Sequence, residues 1–340
     1  MTSFTTGQVE VTERQDDRSQ LPAEQLRQMY ELMALARMLD ERMWLLNRGG
    51  QAPFVISCQG HEAAQAGAGF ALQPGKDILL PYYRDLALSL HFGITPRDVM
   101  LSLLGKQGDP TSGGRQMPAH YSSRKLNIIT GSSPVATQLP HAVGVALAAR
   151  IRGEDSVALT CTGEGSTNQG DFHEALNFAS VRKLPVIFMV ENNGWAISVP
   201  QSKQMAVEHV SERAAAYGIA GVTVDGTDPL AVYATMKEAA DRARRGDGPT
   251  LVEAMVYRFT AHSSDDDDRS YRPQGETQEL RAHDPNLRFR TRLIEEGVMT
   301  EEDAKKIEVQ VKAQVDDATD YAEKAPYPDP SELLLHVYGS

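Results

Sequence analysis

Between residues 157 and 193 this chain carries a fixed order of signals that leaves few folds open to it. An apolar run over 157–162 is short enough for a buried strand, and Gly163-Glu164-Gly165 is a turn. Phe172, Ala175, Leu176 and Ala179 then recur at helical spacing over 170–181, and 185–190 is a second buried strand. Strand, turn, helix and strand make a βαβ unit, whose right-handed crossover forces the two strands to be parallel. Further strands are expected at 221–224 and 250–257, with a helix over 228–245 between them. The order predicts an α/β fold, a doubly wound parallel sheet with helices on both faces.

The flanks fill in the organisation. Met29, Leu32, Met33, Leu35, Ala36, Leu39, Met43 and Leu46 form one apolar stripe, predicting a helix over 23–48 ended by Gly49 and Gly50. A turn-rich, Gly- and Ala-bearing stretch follows to about Tyr83. Residues 109–134 lack apolar periodicity and read as a long ordered loop, usually functional in compact domains, and 138–150 reads as a helix. Thr300 and Asp303 form a capping box before a polar helix ending near Pro326. The chain therefore divides into a flexible N-terminal arm over 1–20, an α/β domain over 21–275 and a peripheral helical C-terminal extension over 276–340.

Composition excludes several functions. The formal net charge of −12 argues against nucleic acid, which wants a basic footprint. No run of about 18 apolar residues is present to span a membrane, and the first twenty residues lack the apolar stretch of a signal peptide. The two cysteines, Cys58 and Cys161, form no metal or redox spacing, so a reducing cytoplasm is the simplest location.

The turn at 163–165 sits where open α/β sheets bind ligands. Glycines there let backbone N–H groups approach a phosphate, helped by a helix N-terminus. A dinucleotide fingerprint would need a small residue at Asn168, and the Gly69–Lys76 segment misses a P-loop by one residue, so neither motif holds. The acidic run Asp265 to Asp268 lacks the glycine and glutamate of an EF-hand. Glu164 is the informative residue. A carboxylate in a phosphate-cradling turn repels the ligand unless a divalent cation lies between them, since Mg²⁺ binds carboxylate and phosphate oxygens together. The second strand ends at Glu191-Asn192-Asn193-Gly194, beside the first turn, and offers an amide oxygen to the same cation.

A Gly-Glu-Gly turn followed nearly thirty residues later by Asn-Asn resembles the thiamine diphosphate motif. The stretch from Gln28 to Pro273 further resembles alpha subunits of branched-chain 2-oxo acid dehydrogenases. The likeness rests on Tyr83-Arg84, on Gly114 to Pro118 followed by His120, and on Ser132 to Gln138. It continues in Asn192 to Ser198, Val224-Asp225-Gly226, Ala261 to Asp266 and Tyr271-Arg272-Pro273. The resemblance implies that Glu164 and Asn193 are side-chain Mg²⁺ ligands and that Trp195 adds a backbone carbonyl. It implies diphosphate contacts from Tyr83, Arg84 and His262, with Gly163, Gly165 and Ser166 forming the backbone cradle. Ser133 would touch the aminopyrimidine, Val135 would prop the cofactor in its bent form, and Ser132, Pro134, Thr137 and Gln138 would form a K⁺ site. Phe54 and Tyr83 would line the acyl pocket. One departure stands out: some relatives carry a basic residue just before Asn-Asn, and this chain has Glu191, which would weaken diphosphate binding unless it points away. Ser263 occupies the position of a phosphorylation switch in mammalian relatives.

The implied activity is oxidative decarboxylation of branched-chain 2-oxo acids such as 3-methyl-2-oxobutanoate. The acyl group would pass to the lipoyl group of a dihydrolipoyl acyltransferase, with His262 handling a proton in that transfer. Pyruvate or acetoin dehydrogenation is the alternative in the same class, because one methylene in an apolar pocket discriminates only modestly. A catalytically silent scaffolding subunit and a nicotinamide dehydrogenase are the rivals outside it. Intact Glu164, Asn193 and His262 oppose the first; Glu164 and the missing third glycine oppose the second. Only the diphosphate-binding half-site is readable, so a beta subunit is expected to supply the pyrimidine half in an α2β2 heterotetramer. The helices near 138–150 and 170–181 are the expected contacts.

Overall fold

The computed structural model describes residues 9–11, 21–131 and 133–335. Strand β1 (Val9–Val11) is followed by α1 (Ala23–Arg48), α2 (Glu62–Phe70), β2 (Ile78–Leu80), α3 (Leu86–His91), α4 (Pro96–Leu103) and α5 (Gln138–Arg152). Next come β3 (Ala158–Gly163), α6 (Gly170–Arg182), β4 (Val186–Asn192) and a two-strand antiparallel pair, β5 (Trp195–Ala196) and β6 (Val199–Pro200). The α/β body closes with α7 (Ala214–Tyr217), β7 (Ala220–Asp225), α8 (Pro229–Arg244) and β8 (Thr250–Met255). The C-terminal region holds α9 (Glu276–Arg281), α10 (Pro285–Glu295) and α11 (Glu301–Lys324).

Six strands form one sheet in the order β1-β7-β8-β4-β3-β2, with every neighbouring pair parallel. Side-chain alternation sends Ile187 and Met189 of β4 into a core shared with α1, α2 and α8. Val186, Phe188 and Val190 point the other way, into a core shared with α5 and α6. Both faces are covered, which is why these strands read as unbroken apolar runs rather than alternating ones. The fold is the expected doubly wound α/β sheet. No helix among the described residues is long and apolar enough to cross a membrane.

Several elements differ from expectation, each for a physical reason. Part of the stretch read as a flexible arm is an edge strand, since Val9–Val11 pairs with residues 221–223. The stretch read as turn-rich contains α2, whose residues from Glu62 to Gly69 are all buried. A helix buried all round has no polar face and so no amphipathic period. Its small residues let α8 approach: a Cβ on Gly67 would lie 2.4 Å from the Pro229 carbonyl oxygen. Strand β4 runs two residues past its expected end, because Glu191 and Asn192 still pair with Ala254 and Met255 of β8. A 3₁₀ turn over Glu164–Asn168 separates β3 from α6, so the N–H groups nearest the strand end belong to that turn and not to α6.

The C-terminal extension is not peripheral. Val311, Val315, Ala318 and Ala322 make a buried stripe on α11, narrow enough to be masked by its charged residues. Phe289, Leu293 and Val311 join Met29 and Met33 of α1 in one cluster, and Val315, Ala318 and Ala322 join the main core. Leu293→Ala should therefore lower the unfolding free energy by about 2–5 kcal/mol, while Leu287→Ala, exposed on the same helix, changes it by less than ~0.5 kcal/mol. Denaturant titration of the two variants checks this, and equal midpoints would place α10 outside the cooperative core.

Candidate active site

Parallel pairing sets Gly163 on β3 directly opposite Glu191 on β4. Both strands release the chain at the same edge, so Glu164 and Asn193 emerge side by side, with the Asn193 N–H 3.4 Å from Glu164 Oε2. A cavity of ≈ 370 Å³ lies at this edge. Gly163, Glu164, Gly165 and Ser166 form one wall of it, and Asn193 and Trp195 another. Tyr83 and Arg84 from the loop before α3, Ser133 and Val135 from the loop before α5, and His262 from beyond β8 converge on the same space. Phe54, Ile56, Met117 and Ile197 give it an apolar side. Close approach decides Gly165, where a Cβ would sit 2.5 Å from that of Ala196.

The expected K⁺ group lies apart from this cavity, at the start of α5, and Ser132 falls outside the described residues. The Thr137 hydroxyl donates to the Pro134 carbonyl at 3.1 Å. Gln138 Nε2 donates to the Cys161 carbonyl at 2.7 Å, while its buried Oε1 has no donor among the described residues. Ser263 is buried.

The charges of the cavity are unbalanced in a specific way. Glu164 is buried, and burial raises its pKa above the usual carboxylate range. Among the described residues its side-chain oxygens receive only the Asn193 N–H and Gln204 Nε2, both at 3.4 Å, long and weak contacts that replace little of the lost hydration. A cation completes such a group. Across the cavity, Arg84 donates to the Ser57 carbonyl and, at 3.3 Å, to the His262 carbonyl. Arg258, buried behind the wall, donates through Nη2 to the Ile197 carbonyl and the Tyr271 hydroxyl, both at 3.1 Å. Its Nε and Nη1 find no acceptor among the described residues. Burial, then repulsion from Arg84 and Arg258, pushes the His262 pKa down to about 4. An anion completes this half. A buried carboxylate wanting a cation beside a basic cluster wanting an anion fits a metal-bridged diphosphate.

Sequence reasoning missed Arg258, although a lone arginine between Tyr257 and Phe259, four residues before His262, was a usable signal. It also missed what holds Ser133. His120 Nδ1 donates to the Pro118 carbonyl at 2.9 Å, leaving Nε2 to accept the Ser133 hydroxyl proton at 2.7 Å. Glu191 points away from the cavity. Its Oε2 lies 2.5 Å from His61 Nδ1 and also accepts from Gln65 Nε2 at 3.1 Å and the Tyr82 hydroxyl at 3.2 Å. Burial and then the Glu191 charge raise the Asp85 pKa well above the usual carboxylate range, while the contact with His61 and the other donors outweigh burial and keep Glu191 ionised.

Comparison with known proteins gives a consistent picture. Residues 30–331 match the family described as "Dehydrogenase E1 component". The chain is 57% identical over 310 residues (91% of this chain, 94% of the relative) to "2-oxoisovalerate dehydrogenase subunit alpha" of Bacillus subtilis. It is 41% identical over 318 residues (94% and 84%) to "3-methyl-2-oxobutanoate dehydrogenase subunit alpha" of Mycobacterium tuberculosis. It is 38% identical over 319 residues (94% and 83%) to "Pyruvate dehydrogenase E1 component subunit alpha" of Bacillus subtilis.

The depressed pKa of His262 generates a signed prediction. At pH 6 the ring is neutral in the free protein, because its pKa lies near 4. A bound anion favours the imidazolium, so His262 should take up a fraction of a proton at that pH when Mg²⁺-pyrophosphate binds. Any proton that Glu164 releases to the metal counts against this, so the wild type should take up more, or release fewer, protons than a variant without the ring. Calorimetry in two buffers of different ionisation enthalpy reads the net proton count directly. The difference between wild type and His262→Gln is the His262 share; an identical proton count in the two proteins would show that His262 takes up none.

Proposed function

This chain belongs to the dehydrogenase E1 component family, which depends on thiamine diphosphate, and from that premise we propose that it is the alpha subunit of a branched-chain 2-oxo acid dehydrogenase. The reaction is oxidative decarboxylation of substrates such as 3-methyl-2-oxobutanoate, with transfer of the acyl group to the lipoyl group of a dihydrolipoyl acyltransferase. One observation carries the site reading: the buried, poorly solvated Glu164 shares a single cavity with Arg84 and His262, and Arg258, with two donors unpartnered among the described residues, lies behind its wall.

In this reading Glu164 and Asn193, with the Trp195 carbonyl, hold Mg²⁺. Tyr83, Arg84, His262 and the backbone of Gly163, Gly165 and Ser166 hold the diphosphate. Ser133 meets the aminopyrimidine and Val135 props the bend. When bound, thiamine diphosphate supplies the electron sink for decarboxylation. The chain's own contribution is to bind, orient and balance charge. Arg84 and Arg258 are pre-placed for negative charge, so little reorganisation accompanies binding. His262 is the group that holds or passes a proton during acyl transfer. The unpartnered Gln138 Oε1 supports a K⁺ site formed with Ser132, Pro134 and Thr137.

Phe54 and Tyr83 shape the acyl pocket, and the neighbouring Ile56 and Ile197 favour a branched apolar group over a methyl. Identity of 57% to a 2-oxoisovalerate dehydrogenase subunit against 38% to a pyruvate dehydrogenase subunit supports the same preference. A beta subunit in an α2β2 heterotetramer completes the site. Glu164 is the one carboxylate among the described residues that line the cavity, and the metal takes it, so the carboxylate for the pyrimidine comes from outside. The exposed Ile151, Phe178 and Val181 on α5 and α6 supply an apolar contact surface for that partner. The cytoplasm is the proposed location, in keeping with the two free buried cysteines.

Calorimetric titration of thiamine diphosphate with Mg²⁺ into the chain co-expressed with its beta subunit tests the site. Binding should require Mg²⁺ and vanish in Glu164→Ala; metal-independent binding, or binding retained in the variant, refutes the metal assignment. For substrate, kcat/KM should favour 3-methyl-2-oxobutanoate over pyruvate by about tenfold or more. The opposite order would make this a pyruvate-type subunit.

A further inference from the structure

We propose that His61, braced by Glu191, is a positioning residue that turns the side-chain amide of Asn193 so that its oxygen faces the divalent cation. The inference rests on the metal reading of Glu164 and Asn193. It assigns work to two buried groups that the proposed chemistry leaves unused.

His61 and Glu191 are both fully buried, on α2's N-terminal boundary and on β4. Glu191 Oε2 is an acceptor already serving Gln65 and Tyr82, so the contact 2.5 Å away at His61 Nδ1 must be an N–H donor. With the Trp195 N–H on Asn193 Oδ1, the amide presents its Nδ2 donor to His61 Nε2. The buried ring is therefore the neutral form, with its one N–H at Nδ1. Its other nitrogen, Nε2, then carries a lone pair, and it lies 3.5 Å from Asn193 Nδ2, at the long limit of a hydrogen bond. That lone pair accepts an amide N–H and would repel an amide oxygen. On the opposite side of the same amide, the Trp195 N–H donates to Asn193 Oδ1 at 3.2 Å. Both contacts select one of the two amide orientations.

The distinction matters because the two ends of an amide look alike in shape and differ in chemistry. The oxygen is a hard ligand for Mg²⁺, whereas the NH₂ group turns positive hydrogens toward the cation. Without His61, the Trp195 N–H is the one contact among the described residues that opposes a flip. Histidine–carboxylate pairs that orient metal ligands from behind change metal affinity by about 10–100-fold when broken. Here the pair acts on an asparagine ligand, with the histidine between the carboxylate and the amide. Glu191, which would weaken the site if it faced the diphosphate, thereby strengthens it from the rear.

The test is Mg²⁺ affinity at saturating thiamine diphosphate, measured by calorimetry on the assembled complex with the beta subunit. His61→Gln keeps an acceptor near the Nε2 position, whereas His61→Asn keeps only a group near Nδ1 and falls short of Asn193. His61→Gln should bind Mg²⁺ within about threefold of the wild type, and His61→Asn about tenfold or more weakly. Equal affinities in the two variants, whether both high or both low, overturn the proposal, because a merely structural histidine makes no such distinction. Glu164→Gln is the control on the underlying reading: if it binds Mg²⁺ like the wild type, the metal assignment itself fails. If neither His61 variant assembles, Glu191→Gln against Glu191→Met asks the same question one bond further back. The glutamine, which keeps the acceptor, should retain affinity and the methionine should lose it; equal affinities again overturn the proposal.

Discussion

The register of β3 against β4 is the constraint on which the site depends. With Gly163 opposite Glu191, the two residues that follow each strand leave the sheet at one edge and lie within reach of a common ion. The same register decides what points inward. Glu191 falls on the face covered by α2, where His61, Gln65 and Tyr82 receive it. Asn192 falls on the other face, where its amide donates to Glu253 at 2.7 Å. A slip of one residue would exchange these two side chains between faces. It would replace the carboxylate that accepts from His61, Gln65 and Tyr82 with a shorter, neutral amide and put a second carboxylate beside the buried Glu253. Such a slip costs several buried polar groups their partners at once, so the register is strongly specified.

Three sets of charge are then kept separate by packing. Glu191, held ionised by donors from His61, Gln65 and Tyr82, raises the pKa of the buried Asp85 beside it, and neither carboxylate lines the cavity. Arg84 and Arg258 place positive charge on one side of the cavity and hold the His262 ring neutral, and Glu164 places a buried carboxylate on the other. Neither of the last two sets is satisfied within the described residues. Leaving groups in that state costs stability, which is the usual condition of a site prepared for a charged ligand. The ligand that satisfies both sets binds the folded state alone and so stabilises it by mass action.

How much of this was legible in the sequence varied with the kind of signal. The βαβ unit, α1, α5, α8 and the Thr300 cap were legible because each rests on local periodicity or a fixed cap spacing. The α2 helix was not, because alanine and glycine buried on every side carry no period. The stripe on α11 was obscured by its charged surroundings, and β2 was too short to show a pattern. At the site, residues lying in ordered blocks came together at one cavity. Arg258 did not announce itself, since a single arginine between aromatics becomes informative only once its two empty donors are seen. The direction of Glu191 depends on which face of β4 it occupies, and it is set by pairing with strands far away in sequence.

The cavity also bears on why the chain would act in company. Its polar groups crowd the end near Glu164, while its remaining walls are supplied by Phe54, Ile56, Val135 and Ile197, and no second carboxylate lines it among the described residues. A cofactor held at the diphosphate end alone would leave its pyrimidine ring without a carboxylate, because Glu164 is committed to the metal in the proposed reading. A second sheet of similar size would have to carry that group, and the described residues form only the six-stranded sheet and the short β5–β6 pair. On α5 and α6, Ile151 and Val181 are 78% and 76% exposed, so large apolar groups stand uncovered on the helices that back β3 and β4. Both residues lie near the C-terminal ends of their helices, beside the starts of β3 and β4. A partner that covered them and ran along α5 and α6 to the helix N-termini would reach the loops that carry Ser133 and Glu164. The same contact that hides the apolar helices would then bring a second half-site against the first, coupling assembly to completion of the site.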